Sequence, residues 1–216
     1  MNWTTVTRLG EAQILLPAAL LAAAWLAWRM GASATARTWI GLLSLAIALT
    51  AASKLAFMGW GIGIASLDFT GFSGHAMFAA AVYPMLASIG AASASTSRQK
   101  LAIALGTAVA LLIAVSRLEV HAHSVSEVVT GCALGLAASS LALRWHPIPS
   151  TPTAPWAPMI LLLCLAGAPL KLPPSLTHHM VTQLALALSE RGHPYTREDL
   201  HRAASGGTVP PELRGN

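Results

Sequence analysis

The sequence predicts an all-α integral membrane protein, a helical bundle of about six transmembrane helices. Three observations carry this. Of 216 residues, 55% are hydrophobic and only 10% charged, against roughly 25% charged in an ordinary soluble domain. Mean hydropathy is +0.61. Apolar runs of near-spanning length recur along the chain, with almost no charge inside them. Disorder needs low hydrophobicity and high charge, so it is excluded. A water-soluble globule is excluded because so few charged residues cannot cover its surface. In a bilayer the remaining solution is the helix, which satisfies its own backbone.

A span needs about 20 residues. The runs fall at 12–28, 39–60, 73–92, 101–115, 125–143 and 156–170. The first follows Arg8, and small residues at 32–36 resemble a signal-peptide cleavage site. The run is long, however, and ends in Trp25, Trp28 and Arg29. Those are interface anchors, so a retained span is expected. The second run ends at Trp60, and the third begins at Ser73. The fourth is short. The fifth carries Gly131-Cys132-Ala133-Leu134-Gly135, a small-residue face that permits close helix approach within the bundle or in a dimer. The sixth is short and crowded by Pro155, Pro158 and Pro169, and an extended Pro-rich connector at 147–158 leads into it.

Composition shifts after residue 172, dividing the chain into a bundle at 1–172 and a polar tail at 173–216. The tail holds four of the eight His. An amphipathic helix is expected at 176–188 and a short one at 196–204, with Thr196 as N-cap. His178, His179, His193 and His201 match no metal-ligand spacing and read as solvated. Cys132 and Cys164 sit in apolar runs and read as small buried hydrophobes. No metal and no cofactor is expected.

Loops on alternate sides differ in charge. One side holds Arg29, Arg37, Arg98, Lys100 and Arg144 with no acidic residue. The other mixes Arg8, Glu11, Asp68, Arg117 and Glu119. The positive-inside rule places the first side in the cytoplasm. The mixed side then faces outward, toward the periplasm if the membrane is a bacterial inner membrane. With six spans both termini lie outside; with five, the tail is cytoplasmic. The formal charge of +5 reflects these basic loops, and no nucleic-acid partner is expected.

Ionisable residues inside a membrane are costly and therefore mark function. Three clusters fall at the outward ends of spans. Lys54 lies late in the second run, near enough to Trp60 for snorkelling to be a plain alternative. Ser73-Gly74-His75 opens the third run. Free N–H groups and a glycine there suit a phosphate oxygen, and simple N-capping by Ser73 is the structural alternative. In the third cluster, Arg117 suits bidentate phosphate binding. His123 and Glu127, four residues apart, can share a helix face. Glu127 then orients one imidazole nitrogen and leaves the other free to attack. Ser124-x-x-Glu127 is also a capping box, which is compatible with that role. His121 reads as a loop residue. Alternating spans bring all three clusters to one face.

These residues together resemble the type 2 phosphatidic acid phosphatase family. Its pattern is a Lys followed seven residues later by Arg-Pro, a Pro-Ser-Gly-His, and a Ser-Arg, five residues, His, three residues, Asp. Here Ser116-Arg117, His123 and Glu127 match the third part, Phe72-Ser73-Gly74-His75 the second, and Lys54 alone the first. Phe72 replaces the Pro, Glu127 replaces the Asp, and Gly61 stands where the first part has Arg. Beyond Arg117, the outward segments offer only Arg8 and Lys171 as further basic groups.

The resemblance implies a metal-independent phosphatase acting on a membrane lipid phosphate. His123 is the implied nucleophile, Glu127 its orienting carboxylate and His75 the general acid. Lys54, Ser73, Gly74 and Arg117 are the implied phosphate-binding set. Two other readings stand beside it: a lipid phosphotransferase using the same residues, and a non-catalytic membrane protein that binds anionic lipid, which Gly61 and Glu127 favour and the His75–His123 pair opposes.

Overall fold

A computed structural model describes residues 2–149 and 176–206, with side chains of the second segment from 178 onward. Eight helices appear among them: α1 (Trp3–Arg8), α2 (Ala12–Trp28), α3 (Ser33–Trp60), α4 (Gly74–Gly90), α5 (Thr96–Glu119), α6 (Val125–Trp145), α7 (Leu176–Ser189) and α8 (Arg197–Ala204). The all-helical membrane bundle is as the composition requires. α3, α5 and α6 are long and apolar enough to cross a bilayer, and α2 and α4 are shorter apolar helices of 17 residues. The sixth apolar run, most of the Pro-rich connector, Cys164 and Lys171 lie outside the described residues.

The first run is helical over its expected bounds, whereas α3 and α5 extend well beyond theirs. Thr96–Lys100 and Ser116–Glu119 continue α5 past its apolar stretch, because Arg, Lys, Gln and Glu are good helix formers wherever the interface provides water. Arg117 therefore sits on the last turn of a helix, not in a loop. In the tail, α7 and α8 form where amphipathic patterning placed helices. Thr196 caps α8 in a reciprocal box with Asp199.

α4 is the central helix. Ala76, Met77, Phe78, Ala79, Ala80, Ala81, Val82 and Met85 are consecutive or nearly so, and all are buried. A helix apolar and buried on every face must be surrounded, and α4 packs mainly against α5 and α6. Trp39 of α3 is wholly buried and donates its indole N–H to the Ala81 carbonyl at 3.0 Å. Leu101, Leu105, Leu111 and Leu112 on α5 are exposed instead, as side chains facing lipid should be. Trp28 and Trp145 at one end and Trp60 at the other are also exposed, at the positions of interface anchors.

The small-residue face of α6 governs the approach to α4. A Cβ at Gly135 would stand 2.2 Å from the Met77 carbonyl, and one at Gly131 would stand 2.6 Å from the Ser73 carbonyl. Only glycine lets the start of α6 lie against the start of α4. Cys132 between them is buried, as expected.

Both ends of the described chain lie at one end of the bundle. α1 packs against α5, where Arg117 meets Thr7. α7 runs beside α3, with Ser189 next to Gly59, and the Tyr195 N–H donates to the Met58 carbonyl at 2.9 Å. The other end is marked by the Thr35 hydroxyl donating to the His146 carbonyl.

Candidate active site

The end of α3, the 61–73 loop, the start of α4, the end of α5 and the 120–124 turn meet at the end of the bundle that also carries α1 and α8. The polar clusters singled out by sequence all lie here, and Lys54, His75, Arg117, His123 and Glu127 are near enough for each to feel others' charge.

Glu127 organises the site. It is the N3 residue of α6, and both halves of the capping box form: the Ser124 hydroxyl accepts from the Glu127 N–H, and the Ser124 N–H donates to Glu127 Oε2. The same oxygen takes the His123 Nδ1 at 2.6 Å. Capping and histidine-orienting are thus one arrangement. The other oxygen accepts from the Thr70 N–H at 2.8 Å and the Thr70 hydroxyl at 2.5 Å. The Glu127 side chain is wholly buried.

His123 lies in the turn before α6 and is partly buried. With Nδ1 on the carboxylate, Nε2 is the nitrogen left free for chemistry. Burial lowers the imidazole's pKa and outweighs the opposing pull of Glu127, with Lys54 and Arg117 adding to the lowering. The lowering favours the neutral ring. His121, with φ of 52°, is exposed in the same turn, which fits a loop residue.

Ser73 precedes α4 but makes no side-chain capping bond. Its N–H donates to the Glu127 carbonyl at 3.0 Å, while its hydroxyl is buried with no hydrogen-bond partner among the described residues. The N-cap explanation of Ser73 therefore fails. The Thr50 hydroxyl, one turn before Lys54, is likewise buried and unpartnered, and its methyl carbon lies 3.9 Å from a Cβ built on Gly74. Nothing in the sequence marked it, because a threonine inside an apolar helix is commonplace. Lys54 is partly buried, and its Cγ lies 3.1 Å from a Cβ built on Gly71 in the 61–73 loop. Arg117 donates to Thr7 at 2.7 Å, and its Nε is buried without a partner. His75 sits on the first turn of α4 under the Gly10 backbone; a Cβ at Gly10 would meet the His75 Cβ at 3.2 Å.

The family model described as the PAP2 superfamily matches residues 65–149. The chain belongs to this superfamily. An uncharacterized 22.5 kDa protein in the cps region of Klebsiella pneumoniae is 38% identical over 215 residues, covering 94% of this chain and the whole of that relative. No solved structure matches. Membership in the PAP2 superfamily supports phosphatase-type chemistry in a membrane protein. The matched span contains the second and third parts of the pattern and begins after Lys54.

The structure differs from the sequence reading most at the tail. His178, His179 and His193 are exposed as expected, but the described part of the tail also reaches the site. Arg197, the first residue of α8, reaches Glu127, with Nη2 at 3.0 Å from both carboxylate oxygens. Its Nη1 donates to the Asp68 carbonyl at 2.7 Å and also pairs with the Asp68 carboxylate. His201 joins Asp68 at 2.7 Å. Tyr195 covers Gly61, where a Cβ would stand 3.0 Å from the ring. The position that holds Arg in the family pattern is thus a left-handed helix cap, φ 69°, packed under the tail. The only local signal for Arg197 was the Thr196 capping box, which places the residue at a helix start and says nothing of its partner.

Proposed function

We propose that the protein is a metal-independent lipid phosphate phosphatase that works through a phosphohistidine at the periplasmic face of the inner membrane. The observation that carries this is the 2.6 Å contact between His123 Nδ1 and Glu127 Oε2, which orients Nε2 as a nucleophile. His123 Nε2 forms a bond to phosphorus as the P–O bond to the alkoxide breaks. His75 gives its proton to that alkoxide, and general acid help of this kind is worth about 10²- to 10⁴-fold. Water then attacks phosphorus and gives a proton back to His75, the P–N bond breaks, and inorganic phosphate leaves. Lys54, Arg117, the Ser73 hydroxyl and the backbone at Gly74 stabilise the phosphoryl oxygens. Phosphoryl transfer is mainly positioning and charge stabilisation, which this set can supply.

Two further observations support the lipid and the outward face. An open groove of about 780 Å³ runs past His123 between Leu67, Leu118, Val125 and Val129. Leu67, Val125 and Val129 are exposed on the outside of the bundle, so an acyl or prenyl chain can stay in the bilayer while its headgroup meets His123. The basic loops at the opposite end support a site outside the cytoplasm.

The test is phosphate release by the purified protein in detergent with EDTA present. The panel is phosphatidic acid, phosphatidylglycerol phosphate, undecaprenyl pyrophosphate and lipid A. Release from at least one lipid is expected, with a loss of at least ~10³-fold in His123→Ala. Near-wild-type turnover in that variant would remove His123 as nucleophile. Transfer of phosphate to an added alcohol in place of its release would assign the phosphotransferase.

A further inference from the structure

The tail places a guanidinium on the carboxylate that orients the nucleophile. We propose that Arg197 is a positioning residue of this site, which holds the Glu127 carboxylate and limits how strongly that carboxylate acts on His123. The inference rests on the phosphohistidine reading for its catalytic meaning, but its physical content is independent of it.

Glu127 accepts from five groups: the Thr70 N–H, the Thr70 hydroxyl, the Ser124 N–H, His123 Nδ1 and Arg197 Nη2. Four of these come from residues 70–124, close to the carboxylate in the fold. Arg197 comes from 70 residues further along the chain and brings a full positive charge. A mere tether for the tail needs no such contact. Asp68 already holds Arg197 through its carbonyl and carboxylate, and it holds His201 as well. The Tyr195 N–H on the Met58 carbonyl holds the segment before α8. Nη2 nevertheless lies symmetrically between the two oxygens of a wholly buried carboxylate.

The electrostatic consequence has a sign. A carboxylate beside an imidazole favours the imidazolium, and a cation on that carboxylate weakens the effect. The groups facing His123 and Glu127 are Lys54 on α3, His75 on α4, Arg117 on α5, Asp68 in the 61–73 loop, and Arg197 with His201 on α8. On one side, Lys54 and Arg117 act directly on His123. On the other side Arg197 acts through Glu127, and Asp68 is itself paired with Arg197 and His201. Removing Arg197 leaves Glu127 answering mainly to His123, and Asp68 answering to His201. The first change favours a proton on His123.

The experiment is a titration of the full-length protein, labelled with ¹⁵N-histidine in detergent micelles. His123 is assigned from a His123→Gln sample. The His123 midpoint is expected to rise by about 1 pH unit in Arg197→Gln. It should rise by about half as much in Arg197→Lys, which keeps the charge and loses the planar fork. Asp68→Asn, which loosens the tail but leaves Arg197 on Glu127, should move it least. A midpoint unchanged in a folded Arg197→Gln overturns the proposal, and so does an Asp68→Asn shift as large as that of Arg197→Gln. If Arg197→Gln does not fold, an unmoved midpoint in Arg197→Lys overturns it instead. The acid limb of phosphate release from phosphatidic acid should follow the same order. Wild-type protein that releases no phosphate from the lipid panel fails the phosphatase reading, while the titration still decides Arg197.

Discussion

Two oxygens at the same end of the bundle are treated in opposite ways. The Glu127 carboxylate is wholly buried and accepts from five groups. The Ser73 hydroxyl is also wholly buried, its own backbone N–H bonds to the Glu127 carbonyl, and it has no partner among the described residues. Buried polar groups are almost always satisfied, so each exception asks for a reason. On the proposed function, the difference separates two kinds of work. A group that orients the nucleophile must be fixed before substrate arrives, and every donor on Glu127 fixes it further. A group that meets a phosphoryl oxygen must keep its bond for the ligand. The Arg117 Nε and Thr50 hydroxyl, both buried and unpartnered, belong with Ser73 in this respect.

That contrast predicts unlike responses to mutation. The largest effect belongs to Glu127→Ala. It leaves the Thr70 and Ser124 N–H groups and Arg197 without their acceptor, so the thermal midpoint should fall along with activity. Turnover should drop by about 10³- to 10⁴-fold, the scale seen when a histidine loses its orienting carboxylate. An unchanged midpoint would break the comparison, since it would mean the network holds nothing. Ser73→Ala comes next and should dissociate the two readouts. A hydrogen bond to a charged group is worth roughly 1.5–3 kcal/mol, so turnover should fall about 10- to 100-fold. Because the hydroxyl gives up no bond in the folded protein, the thermal midpoint should stay level or rise. A fall in stability without loss of turnover would reverse the assignment.

The smallest effect is in the pH profile. Burial lowers the pKa of His123 against the pull of Glu127. If the neutral ring attacks as proposed, activity should persist as pH falls past the ordinary imidazole value near 6.5 and be lost only through the lowered one. An acid limb in kcat/KM above 6.5 would show that Glu127 dominates burial.

Local pattern made much of this legible. The spans, the face they share, the capping box at Ser124 and Glu127, and the Thr196 cap each follow from residues within a few turns of one another. The small-residue face of α6 was readable as a close contact. Its partner, the start of α4, was not, because a glycine in sequence does not name what it approaches. The Ser73 hydroxyl shows the limit differently. Sequence offered capping or ligand binding, and the absence of a capping bond decided against capping.

The tail was misread for a physical reason. Its charge and histidines are what a solvated segment has, and periodicity carries no information about a contact 70 residues away. Gly61 looked like the loss of a phosphate-binding group. In the fold it caps α3 at φ 69° and lies under Tyr195. The same segment then delivers Arg197 to Glu127. Sequence by itself determined the membrane bundle, because so little charge and so much apolar length leave no other solution. It also determined which side chains gather at one end, because spans alternate. Only the tertiary structure decided which of those groups are held and which are bare, and that the tail closes over them. Hydrogen bonds between distant segments are set by where the packed helices end.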